Sequence, residues 1–135
     1  MLRTVKKLLH DKRGMSGLIV FAILLPFLGA FVIAVAQTTI ISVGQSVVNN
    51  AAFEGARIGA LKNSTTEAKN AANNLGRNVL GNWDSRATVK ATKSNNIITV
   101  TVEYKVPIYS YFNSLNMNIP KKVQSSSSQR VESSP

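Results

Sequence analysis

Between Gly14 and Phe53 the chain carries no charged residue, and Met15 to Ala36 is apolar at nearly every position. Those twenty-two residues make a helix of roughly 33 Å at about 1.5 Å per residue, against a hydrocarbon thickness of about 30 Å. They predict one membrane span. Past Ala36 the apolar positions thin to Ile40, Gly44, Val47, Val48, Ala51, Gly55, Ile58 and Leu61, at spacings of three and four. That is the stripe of an amphipathic helix, and it keeps register with the span. Both parts therefore predict one helix to about Leu61, on the order of 70 Å long.

A second, shorter helix is punctuated at both ends. Ser64-Thr65-Thr66-Glu67 fits a capping box, in which the Ser64 hydroxyl accepts from the Glu67 N–H and the glutamate reaches back. Ala68, Ala71, Ala72, Leu75 and Val79 then form an apolar face, and Gly81 is the expected stop. After Trp83 the period becomes twofold. Ile98, Val100, Val102, Tyr104 and Val106 alternate with polar residues, as in a strand with one buried face. Asn95-Asn96 tolerates the positive φ of a tight turn, so Ala87 to Lys93 should pair back as the other arm of a hairpin. Pro107 ends the second strand, and Tyr109, Tyr111 and Phe112 follow, placed to cover the sheet edge or cap the core. Met117, Ile119, Lys121 and Val123 alternate weakly toward Val131, whereas the intervening run Ser125 to Ser128 has the composition of a disordered tail.

Charge sets the orientation. Residues 1–14 hold Arg3, Lys6, Lys7, Lys12 and Arg13 against Asp11, and the first charge after the span is Glu54, so the N-terminus is expected in the cytoplasm. Residues 1–14 are thus a basic leader, 15–36 the transmembrane helix and 37–135 an extracytoplasmic domain. The net charge of +10 divides into +4 on the leader and +6 scattered over the rest, a diffuse basic surface. With no cysteine, disulfide and thiol chemistry are excluded.

Small residues on the long helix allow close packing. Ala30 and Ala34 in the span, then Gly55 and Gly59 outside it, recur every four residues and suit contact with another subunit; for the glycines, docking on the domain's own sheet is the competing reading. Glu54 and Arg57 are spaced for a local ion pair or a subunit contact. Pro26 removes a hydrogen bond in mid-span and should kink or loosen the helix there. Asn63-Ser64-Thr65 has the form of a glycosylation sequon, but capping already accounts for its hydroxyls.

No set of residues has the spacing of catalytic, cofactor or metal chemistry. His10 is the single histidine, and the acids of the outer domain each sit in a helix, cap, turn, strand or tail. The chain reads as a structural protein, not an enzyme, with no cofactor and no small-molecule substrate.

Three short motifs in succession carry a family resemblance. Lys12-Arg13-Gly14, then Phe21-Ala22-Ile23-Leu24-Leu25-Pro26, then Ala51-Ala52-Phe53-Glu54-Gly55-Ala56-Arg57 resemble the TadE family of pseudopilins, and Arg130-Val131-Glu132 is similar to that family's ending. The resemblance implies an α+β pilin-like fold: a long N-terminal helix, a second short helix and a three-stranded antiparallel sheet, with the serine run as its third strand. It also implies a minor pilin-like component of a Tad/Flp or related pilus or secretion apparatus. Expected partners are membrane lipid, other pilin-like subunits and a prepilin peptidase cutting between Gly14 and Met15. In one respect the chain departs from the family, which places a glutamate just before the Phe-Ala pair, where this chain has Ile19 and Val20. Such a glutamate would pair with a neighbour's new N-terminal amine. Without it, a membrane-bound initiator or platform component stays open beside a filament subunit, as does an uncut Gly14.

Two other classes compete. Ala34-Val35-Ala36 before Gln37 has the small-x-small form of a signal-peptidase site, which would release a secreted protein; against it, the apolar segment exceeds the usual length and the helical stripe crosses the cut. The pI near 10.3 motivates a DNA-binding minor pilin, but no basic stripe with interleaved aromatics is present.

Overall fold

The computed structural model describes residues 12–132. In chain order the elements are α1 (Lys12–Lys62), α2 (Thr65–Val79), α3 (Trp83–Arg86), β1 (Ala87–Ser94), β2 (Ile97–Lys105), α4 (Ser110–Ser114) and β3 (Lys122–Arg130). This is the expected α+β fold, and the chain divides into two compact units at the Ala36–Gln37 bond.

In the first unit the helix runs without interruption through Pro26. Its large apolar side chains stand uncovered; Phe21, Phe27 and Phe31 are 63%, 69% and 66% exposed. A soluble protein does not leave such a run to water. Among the described residues this is the one helix long and apolar enough to cross a membrane.

In the second unit the three strands are antiparallel in the order β1-β2-β3. Asn95 and Asn96 close the hairpin at φ 47° and 60°, both left-handed as a two-residue turn of type I′ requires. β2 is the central strand, and Ile98, Val100 and Val102 are wholly buried beneath Val47, Val48, Ala51, Ala52 and Ala56 of α1 and Ala68 and Ala72 of α2. The serine run is a strand. Ser125 and Ser127 turn inward, half-buried, where small side chains leave room for the core, while the hydroxyls of Ser126 and Ser128 meet those of Thr101 and Thr99 at 3.1 and 2.8 Å on the outer face. The strand opens at Lys122 and not at Met117, which is 52% exposed in the connection. Arg130 pairs with Ile97, and Val131, just past the strand, donates its N–H to the Asn96 carbonyl at 2.6 Å.

Several local expectations change. Ser64 caps α2 by accepting from the Glu67 N–H at 3.3 Å, but the glutamate does not reach back. The Ser64 N–H is already bound to the Gly59 carbonyl at 3.0 Å, because Asn63, at φ 49°, ends α1 in a Schellman arrangement whose second bond runs from Asn63 N–H to Ala60 carbonyl. Glu67 pairs with Lys62 instead, at 2.8 Å. Gly81 is not the stop of α2: the helix ends at Val79, Leu80 donates back to the Gly76 carbonyl, and no glycine has positive φ. Val79 is exposed, and its expected place on the inner face belongs to Gly76, which lies against the Trp83 indole. Trp83 is 1% exposed, donates its Nε1–H to Asn73 Oδ1 at 2.9 Å and stacks on Tyr104 with ring centroids 5.8 Å apart. Of the three aromatics after Pro107 only Phe112 is buried, on the unexpected one-turn helix α4.

Candidate assembly surface

The sequence-predicted contacts separate into an inner and an outer set. Gly55 and Gly59 are inner: a Cβ on Gly55 would lie 2.8 Å from the Ala68 carbonyl oxygen and 3.0 Å from the Ala72 Cβ, and one on Gly59 would lie 2.6 Å from the Ala68 Cβ. Of the two readings of these glycines, docking within the domain is the one observed. The four-residue spacing lets α2 approach the backbone of α1, and no other subunit can reach either position.

Glu54 and Arg57 are outer. The Arg57 guanidinium holds the carboxylate in a two-pronged contact, Nε to Oε2 at 2.8 Å and Nη2 to Oε1 at 2.7 Å. That hydrogen bonding holds the Glu54 carboxyl below its ordinary value, with partial burial opposing it. The pair is a local ion pair between exposed groups, and such pairs add little to stability. It nevertheless fixes the orientation of both side chains. Neighbouring exposed residues share its side of the helix: at 3.6 residues per turn Val43, Ser46, Asn50, Phe53, Arg57 and Leu61 fall within about 80° of arc. Phe53 is 53% exposed and Leu61 65%. Sequence reasoning placed Phe53 in a motif and not at a contact. Its signal was the apolar stripe itself, in which residue 53 falls outside the inward positions Ala51, Ala52, Gly55 and Ala56.

In the first unit Ala30 is half-exposed, Ala34 is exposed, and Gly14 lies open, with no atom within 4 Å of where a Cβ would be. The side chain of Met15, and the leader before residue 12, lie outside the described residues.

Another polar contact was missed. Gln37, 2% exposed, donates from Nε2 to the Pro107 carbonyl and accepts at Oε1 from the Tyr109 N–H, both at 3.1 Å. It thereby ties the β2–β3 connection to the first turn of the second unit. Among the described residues no three His, Cys, Asp or Glu side chains gather as metal ligands would.

The TadE family model, described as TadE-like protein, matches residues 17–57. No curated protein and no solved structure matches the chain. The matched segment takes in the apolar span from Gly17 and continues along α1, past Phe53, to end at Arg57. Over those residues, less than half of the chain, the sequence is similar to the TadE-like family.

Proposed function

We propose that the chain is a structural, non-catalytic component of a Tad/Flp-type pilus or a related secretion apparatus. Residues 15–36 anchor it in the membrane, the leader stays in the cytoplasm and residues 37–135 stand outside. It meets other pilin-like subunits through the outer face of α1 that carries Val43, Phe53, Arg57 and Leu61. The carrying observation is that the TadE match does not stop with the apolar span but follows the helix out to an exposed phenylalanine and an oriented ion pair. A match required only for anchoring would end near Ala36. Gly14–Met15 is the bond offered to a prepilin peptidase. With Ile19 and Val20 where the family has a glutamate, a membrane-bound initiator or platform role fits better than repeated incorporation along a filament.

The test is a pair of substitutions that leave the core alone. Arg57→Glu places two like charges three residues apart on an exposed helix face, and Phe53→Ala removes an exposed ring. Each should abolish cross-linking to sister subunits and surface assembly while shifting the melting temperature by no more than about 2–4 °C, since exposed changes fall within about 0.5 kcal/mol. Normal assembly of both variants would sink the reading.

A further inference from the structure

The end of the second unit nearest to Gln37 differs from the rest of its surface. Gln37 follows the last residue of the apolar span, and its amide holds Pro107 and Tyr109 by the two hydrogen bonds described above. The connection from β2 to β3 is thus held to the residue that directly follows the apolar span in the chain. Along it, Tyr109, Tyr111, Leu115 and Met117 are 48%, 45%, 52% and 52% exposed, while Phe112, directly after Tyr111 on α4, is buried. Basic residues border this segment. Lys105 faces Lys122 across the β2–β3 ladder, Val106 donates to the Lys121 carbonyl at 3.0 Å, and Arg86 donates to the Lys105 carbonyl at 3.4 Å. Lys122 pairs with Glu103; Arg86, Lys105 and Lys121 have no carboxylate within ion-pair distance among the described residues.

We propose that this surface is a membrane-contact site: residues 107–121 lie in the headgroup layer of the leaflet from which the chain emerges, with Arg86, Lys105 and Lys121 on anionic phospholipid. Depth supports it. A bilayer is about 30 Å thick in its hydrocarbon and about 40–45 Å with headgroups, so a span ending at Ala36 puts roughly the next four helical residues at headgroup level. Gln37 and what it holds are at that level. Chemistry supports it too, since tyrosine is enriched at the interface, where its ring is apolar and its hydroxyl wet, and flanking lysine and arginine side chains are drawn to anionic lipid. Both exposed tyrosines of the domain are in this one segment.

The absence of cysteine makes the test clean. The full chain, carrying Met117→Cys or Leu115→Cys and an environment-sensitive fluorophore, is reconstituted alone into vesicles of mixed phosphatidylcholine and phosphatidylglycerol. Ser94→Cys, at the opposite end of the sheet, serves as reference. Quenching by lipid labelled at the headgroup should be severalfold stronger at positions 115 and 117 than at 94. It should fall severalfold in phosphatidylcholine alone, and again when Arg86, Lys105 and Lys121 are all changed to glutamine, with Trp83 fluorescence confirming an intact core. Equal quenching at 94 and 117 would overturn the proposal, as would quenching indifferent to phosphatidylglycerol. If this surface instead binds a protein, the labels in these vesicles stay unquenched, which also overturns it. No other subunit is present, so the outcome is independent of the assembly role.

Discussion

Replacing Gly76 with alanine should lower the melting temperature of the folded domain by on the order of 10 °C, about 2 kcal/mol of stability. Two effects oppose each other. In a helix interior alanine is favoured over glycine by about 1 kcal/mol, so an unobstructed Gly76 would gain from the change. The added Cβ would, however, overlap the Trp83 indole, and that ring cannot swing away: it is 1% exposed, bonded to Asn73 and stacked on Tyr104. Overpacking therefore decides the sign. Gly59→Ala should behave similarly, since the Ala68 Cβ would be 2.6 Å away and belongs to a helix backbone that must shift. Two internal references calibrate the series. At Gly44 the new Cβ meets Tyr104 and Val123 at 3.6 Å, ordinary contact, and at Gly81 it meets nothing within 4 Å. Thermal melts of the full chain should rank Gly76 and Gly59 well below these two. If Gly76→Ala melts with Gly44→Ala, the Trp83 packing described here is wrong.

Removing residues 125–135 should abolish the cooperative melting transition of the second unit. β3 pairs with β2 over nine positions, and the truncation leaves only Lys122, Val123 and Gln124 of it. β2, whose inner face is the floor of the core, would become an edge with its ladder groups open on one side. A two-stranded hairpin is marginal by itself, and the helices above cannot replace a lost ladder. The buried Val131 and its bond to Asn96 go as well. Amide exchange should report loss of protection across β2, and limited proteolysis should cut the domain. A truncated chain that keeps its melting temperature and its protection would show that the serine run adds nothing to the fold.

The elements read correctly from the sequence are those whose signal is local. The uncharged span, the continuation of its helix to about Leu61, the Ser64 cap and the Asn95-Asn96 turn each depend on residues within a few positions of one another, where periodicity and turn chemistry act directly; Leu61 itself, expected on the inner stripe, is 65% exposed. The serine strand is an intermediate case. Composition argues for disorder, and only pairing with Thr99 and Thr101 on a neighbouring strand accounts for its order. What was not legible depends on pairings between distant residues. Gly76 and Trp83 are separated by a turn, so nothing in the helical pattern of α2 shows that its inner face must be bare at residue 76. Glu67 was expected at Ser64 because a capping box is local; the Schellman end of α1 had already taken that N–H. The Gln37 clamp joins residues about 70 positions apart and has no sequence signature. For the candidate surface, the Glu54–Arg57 pair followed from spacing and the outward side of Phe53 from the stripe, whereas the inward docking of Gly55 and Gly59 and the exposure of Leu61 followed only from where α2 and the sheet pack.

Residues 15–36 should remain with the outer domain as its membrane anchor. Alkaline carbonate extraction of membranes from cells making the full chain, with the intact mass read in pellet and supernatant, tests it most directly. The chain should stay in the pellet at a mass that retains residues 15–36, beginning at Met15 if the Gly14–Met15 bond is cut. A chain beginning at Gln37 and released into the supernatant would contradict it.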